Sequence, residues 1–209
     1  MSPKFFNTAG PCKAEKNYML DPLSRLKDVK ELIDNEAYFV LHAPRQTGKT
    51  TALEALAKSL TLEGKYICLK FSCERGQPFG NDIAKAELSL LQAMQTASEI
   101  HLPPELQCPT PTPAAEGSIL SVYLTQWAKS SPRPLVLFFD EIDALREKAL
   151  ESVLRQLRDG YSYRPHAFPH SIILCGLRDV RDYKILSGSS SHLSGSDCAG
   201  VILASLSVD

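Results

Sequence analysis

The chain has 209 residues, with 23 Lys and Arg against 24 Asp and Glu, so its formal net charge is −1. That length carries one domain with a sizeable core, or one domain and a fragment. The balanced charge gives no support, in bulk, for a nucleic-acid partner and leaves only a local basic patch open.

The first thirty residues hold no apolar stretch of the kind a signal peptide needs, and no apolar run approaches a membrane span. Six cysteines (Cys12, Cys68, Cys73, Cys108, Cys175 and Cys198) form no CxxC pair. Cys68 and Cys175 fall inside apolar runs and read as small buried hydrophobes. The expectation is a cytoplasmic protein with reduced thiols and no membrane contact.

Residues 1–20 read as an irregular lead-in, with turn chemistry at Asn7 to Pro11. Asp21 as cap, Pro22 in the first turn, and Leu23, Leu26, Val29 and Ile33 at helical spacing predict a helix that ends at Asn35-Glu36. Tyr38–His42 then reads as a short buried strand. It is followed by Ala43, Pro44, Arg45, Gln46, Thr47, Gly48, Lys49 and Thr50, and by a helix from Thr50 to Leu60.

Strand, Gly-Lys-Thr loop and helix together describe a phosphate-binding loop. Its backbone N–H groups cradle phosphate oxygens, and the helix adds its positive N-terminal end. Residues 43–51, Thr51 included, are the expected nucleotide contacts. Lys49 is expected against the β- and γ-phosphates, and the Thr50 hydroxyl on Mg²⁺. Ala43 stands where the usual pattern has its first glycine.

Further on, Leu53, Leu56, Ala57 and Leu60 share one helix face, and Gly64 stops the helix. Tyr66–Phe71 reads as a second strand and residues 73–81 as a polar loop. Asp82 to Ile100 reads as a helix with Ala84, Leu88, Leu91 and Met94 in phase. Five prolines within 103–113 mark a loop or surface linker. Ser118 is placed to cap a helix carrying Leu120, Tyr123, Leu124 and Trp127.

Leu135–Phe139 is an unbroken apolar run, as a central parallel strand covered on both faces requires. A helix is expected from about Ala144 to Arg158, and a fourth strand at Ser171–Cys175. The alternation of strands and helices predicts an α/β fold with a parallel sheet and right-handed crossovers.

The apolar run ends in Asp140-Glu141-Ile142-Asp143, which puts two adjacent carboxylates at the carboxyl edge of the sheet, where ligands bind in open α/β folds. Asp140 is expected to hold Mg²⁺ through its water shell, and Glu141 to orient and polarise the attacking water. Asp143 reads as a cap of the following helix, or as a contact to a neighbouring subunit or to a water at the site. Arg178, just past the fourth strand, is placed to sense the γ-phosphate or stabilise charge in the transition state. The histidines His166 and His170 flank Pro169, so no helix aligns them as metal ligands.

Tyr38 to Thr51, Leu135 to Asp143, Ser171 to Lys184 and the lead-in Asn17 to Arg25 together resemble the bacterial AAA-like ATP-binding proteins, which are related to the STAND-type ATPases. The likeness covers roughly residues 5–186. It implies a P-loop NTPase three-layer sandwich of the additional-strand, catalytic-glutamate type, with Walker A at 43–51 and Walker B at 135–141. It also implies ATP and Mg²⁺ as cofactors, hydrolysis, a nucleotide-gated conformational change and a catalytic role for Lys49, Glu141 and Arg178. Residues 21–186 would form the ATPase core.

Residues 187–196 are Ser/Gly-rich. Relatives of this kind continue into a fifth strand and a helical lid, and the expectation is a chain truncated before the lid. Val201–Leu206 reads either as filler of the fifth-strand slot or as an accidental tail, with the second preferred. The resemblance leaves self-association or a protein partner open. It also leaves other functions to weigh: a nucleotide-gated binding module with little turnover, a P-loop kinase, and a DNA-associated ATPase. No arginine-rich lid supports the kinase and no basic helix supports the DNA reading.

Overall fold

The structure is a computed structural model and describes residues 4–6, 15–18, 23, 26–42, 48–176 and 204–207. Five strands form one sheet: β1 (Tyr38–His42), β2 (Ile67–Ser72), β3 (Leu135–Asp140), β4 (Ser171–Gly176) and β5 (Ala204–Ser207). Their order is β2-β3-β4-β1-β5 and every pairing is parallel. The fourth strand therefore lies between the first and the third, as the additional-strand architecture requires. The backbone of Ala204–Ser207 runs beside Phe39–His42, in the fifth-strand slot rather than apart from the sheet.

The helices are α1 (Lys27–Asp34), α2 (Lys49–Leu62), α3 (Ile83–His101), α4 (Ile119–Ser130) and α5 (Glu147–Gly160). Alternate strand residues point to opposite faces, and the core divides accordingly. Phe39, Leu41, Cys68, Val136, Phe138, Ile173 and Cys175 pack with Leu26, Val29 and Ile33 of the α1 region and with Leu53, Leu56 and Leu60 of α2. Tyr38, Val40, Ile67, Leu69, Phe71, Leu137, Phe139, Ile172 and Leu174 pack with α3, α4 and α5. This is the expected three-layer sandwich. β3 and β4 are buried along their whole lengths, which is why they read as continuous apolar runs.

Local expectations are corrected at several places. The first helix starts at Lys27, and the proposed cap at Asp21-Pro22 lies outside the described residues. On α3 the buried stripe is Ala86, Leu90, Leu91 and Met94, while Leu88 is 47% exposed. The Asp82 cap is present and accepts from the Lys85 N–H at 3.1 Å.

Ser118 does not cap α4. Its hydroxyl donates to Ala115 O, and the Ile119 N–H instead meets the carboxylate of Glu87 on α3. The proline-rich stretch is more than a surface linker: Leu106 is buried in the core, and the Tyr123 hydroxyl donates to Pro109 O. Asp143 does not cap the helix that follows, because α5 begins only at Glu147, with Arg146 in the cap position.

Candidate functional site

Four strand ends meet at the carboxyl edge of the sheet. Parallel register sets Ser72 beside Asp140, and His42 beside Gly176. The first turn of α2 faces them. Gly48 precedes it with φ of 79° and, as a glycine, brings no side chain to the cap position. A left-handed residue at this point favours glycine, and the first backbone N–H groups of a helix are suited to meeting an anion.

From that turn Lys49 Nζ donates to Gly176 O at 3.0 Å, and the Thr50 hydroxyl donates to Asp140 Oδ2 at 3.0 Å. The sheet order makes both contacts possible, since β4 and β3 lie next in line after β1. The structure thus brings Lys49, Thr50 and Asp140 together. Residues 43–47 and Arg178 lie outside the described residues, and Thr51 is the next residue along α2. Asp143 Oδ1 also borders this edge, close to Gly176: a methyl group placed there would come within 3.3 Å of it.

Asp140 is 1% exposed. A carboxylate so deeply placed has to be compensated, and three groups do this. The Thr50 hydroxyl and the Glu141 N–H (3.1 Å, to Oδ1) are two; the ammonium of Lys70, 3.5 Å from Oδ2, is the third. Lys70 also donates to Glu54 Oε1 on α2 at 3.3 Å. Sequence reasoning missed it, although a lysine inside the apolar run Ile67–Phe71 was a signal.

Thr50 and Asp140 supply hard oxygen donors, and the lysine stands in for a cation beside them. The set suits Mg²⁺, which takes one or two protein oxygens and completes its shell from water and phosphate. Among the described residues no cluster of His, Cys, Asp and Glu forms an all-protein metal cage.

Glu141 adopts φ of 57° and ψ of 41°, a left-handed conformation that costs a non-glycine residue energy. Ser72 fixes its carboxylate, donating to Oε2 at 2.7 Å while accepting from the Glu74 N–H at 3.2 Å. Sequence reasoning also missed Ser72. Cys73 and Cys175 are fully buried nearby, and burial pushes both thiols well above their usual range. Burial likewise pushes Cys68 up to about 12. These are packing groups and not nucleophiles.

The sheet order and the contacts of α2 with the ends of β3 and β4 define a P-loop NTPase fold. A family model described as AAA domain matches residues 33–183, and the chain belongs to that family, whose fold carries nucleotide binding. Two solved structures are similar in fold. One is a chain of Drosophila ORC bound to poly(dA/dT) DNA and Cdc6, with TM-score 0.57, 10% identity, and coverage of 90% of this chain and 29% of that one. The other is a Walker-type ATPase of Pyrococcus abyssi, with TM-score 0.54, 16% identity, and coverage of 97% of this chain and 56% of that one. The chain thus spans little more than half of the second relative and under a third of the first. No curated protein matches its sequence. Among the described residues no helix is long and apolar enough to cross a membrane.

Proposed function

We propose that the chain binds ATP with Mg²⁺ on residues 43–51 and hydrolyses it, and that occupancy of the site moves the segment after β4. The Thr50–Asp140 contact at 3.0 Å carries this reading, because it joins the start of α2 to the buried carboxylate that ends the central strand. In this reading Lys49 binds the β- and γ-phosphates, Thr50 and Asp140 hold Mg²⁺, and Thr51 lies along the same nucleotide-facing turn. Bound Mg²⁺ supplies charge neutralisation at the phosphate oxygens.

Glu141 orients a water for attack on the γ-phosphorus and accepts its proton; the bond to the leaving β-phosphate oxygen breaks. Lys49 also couples the site to the sheet. Its ammonium is bonded to Gly176 O, so a phosphate that draws Lys49 away releases the end of β4. Arg178 follows Gly176 by two positions, and we assign it the sensing of the γ-phosphate. Residues 21–186 form the working core in this proposal, with the STAND-type likeness as an analogy.

A nucleotide-gated binding module is the second reading, favoured by the Ser72 hydrogen bond that engages the Glu141 carboxylate. Calorimetry of ATP with Mg²⁺ on the wild type and Lys49→Ala, followed by phosphate release, separates the two. Loss of binding in Lys49→Ala, with release slowed about a hundredfold or more in Glu141→Gln while ATP stays bound, supports the ATPase. Binding without release supports the module, and no binding by the folded chain overturns both.

Partners other than nucleotide are open to simple tests. ATP-dependent change in sedimentation tests self-association. Salt-dependent retention of duplex DNA tests the partner suggested by the DNA-bound ORC neighbour.

A further inference from the structure

We propose that Lys70 is a built-in rival of Mg²⁺ for the Asp140 carboxylate and thereby sets the Mg²⁺ concentration at which the site takes nucleotide. The proposal rests on the ATP·Mg²⁺ reading of the site above. Lys70 is the only charged residue of β2, whose other residues are apolar or Ser72. Its side chain is 15% exposed, and its ammonium lies between Glu54 Oε1 at 3.3 Å and Asp140 Oδ2 at 3.5 Å.

The contested atom is specific. Asp140 Oδ2 is the oxygen that also accepts the Thr50 hydroxyl, so the lysine sits on the side of the carboxylate that faces the expected metal position. A divalent ion arriving there meets a positive charge already in contact with its ligand. Removing that charge favours the ion.

Glu54 makes the rivalry reversible. It sits on α2, and its side chain is 38% exposed. It gives the flexible lysine stem a second seat when the metal takes Asp140. The arrangement holds the buried carboxylate in a compensated state without metal and exacts a defined cost when metal enters.

Neutralising Lys70 and neutralising Glu54 shift the Mg²⁺ dependence in opposite directions, which a merely structural lysine does not predict. The measurement is a Mg²⁺ titration of ADP binding by calorimetry, starting from EDTA-treated protein, so no turnover is needed. Lys70→Met lowers the half-saturating Mg²⁺ concentration by roughly tenfold, the scale of removing one charge from beside a divalent-cation site in a high-dielectric setting. Glu54→Gln raises it several-fold, because Lys70 then has only Asp140. Lys70→Arg keeps the charge and stays close to wild type.

If Lys70→Met leaves the midpoint unchanged or raises it, or if both neutralising variants shift it the same way, the rivalry is overturned. Weaker ADP binding in EDTA by Lys70→Met overturns it too, since the lysine then contacts phosphate directly. Should Lys70→Met fail to fold, Glu54→Gln decides alone: an unchanged or lowered midpoint overturns the proposal. A wild type whose ADP binding ignores Mg²⁺ sinks the underlying site reading instead, and with it the inference.

Discussion

At the scale of single residues, the hydrolysis proposed for the sheet edge turns on how Glu141 is held. Its left-handed backbone and its contact with Ser72 aim the carboxylate along the end of β2. In the proposed hydrolysis the Ser72 hydroxyl occupies a Glu141 oxygen that the attacking water would need. Ser72→Ala is therefore expected to raise basal phosphate release roughly tenfold, about 1.5 kcal/mol for one hydrogen bond to a charged group, with nucleotide affinity unchanged. A fall in release, measured under single-turnover conditions, would show that Ser72 presents Glu141 to the water. As residues placed at the sheet edge, Lys49, Thr50, Asp140 and Glu141 were legible because each belongs to a compact run whose spacing is set by local backbone geometry. Ser72 and Lys70 were not. They reach the site only through the β2–β3 register, which pairs Ser72 with Asp140, and a sequence states no register between residues 68 positions apart in the chain.

Elements were legible where the apolar period was long, and they slipped where a tertiary partner replaced a local one. The start of α4 shows the difference. Serine before an apolar run is a good cap by local rules, yet the Ile119 N–H is met by Glu87 from α3, 3.2 Å away and 32 residues earlier. The same carboxylate accepts from the Ser152 hydroxyl at 2.9 Å and from the Gln156 side chain, both on α5. Gln156 in turn accepts from the Ser121 N–H at 2.9 Å. A single acidic side chain, 1% exposed, thus ties three helices on one face of the sheet. A network of this kind is worth its burial only while every member is satisfied. Glu87→Ala leaves three donors without their acceptor in a buried setting, and a loss of about 2–4 kcal/mol in denaturant-derived stability is expected. Glu87→Gln keeps one acceptor oxygen and loses less. A loss under 1 kcal/mol for the alanine variant would mean that water replaces the carboxylate. The same helix explains the Leu88 error: with Glu87 buried, the inward stripe runs through Ala86, Leu90, Leu91 and Met94, and Leu88 turns outward.

Across the whole molecule the two edges of the sheet do different work. The carboxyl edge gathers charge for the site, and the amino edge is laced shut. There the Ser171 hydroxyl donates to Ala37 O at 2.6 Å, the Tyr38 hydroxyl to Pro169 O at 2.8 Å, and Arg164 to Glu36 O. His170 joins this edge to the end of α1 through Nε2 and Ile33 O, 2.8 Å apart. A carbonyl accepts only, so the neutral ring carries its proton on Nε2. Its buried Nδ1 has no hydrogen-bond partner among the described residues. Protonating Nδ1 places a charge against Tyr66 and near Lys65 and Arg164, with Glu36 at 3.9 Å as the opposing charge. Burial, the largest cause, holds the His170 pKa below its ordinary value of 6.5, with Lys65 and Arg164 adding to it; the Ile33 carbonyl and Glu36 act the other way. The unfolded chain therefore binds this proton more readily than the folded one, and stability falls as pH drops below about 6.5. Asp34 adds no slope there. Its carboxyl is held below the usual range, chiefly by the hydrogen bond from Lys65, so the stability it lends is lost only at lower pH. Urea unfolding at pH 7.5 and pH 5.5 should show the wild type less stable at the lower pH. His170→Gln, which keeps a donor toward Ile33 but does not titrate, should flatten the difference. An equal slope in both proteins would place the acid sensitivity elsewhere and leave the lacing of the amino edge as a packing arrangement alone.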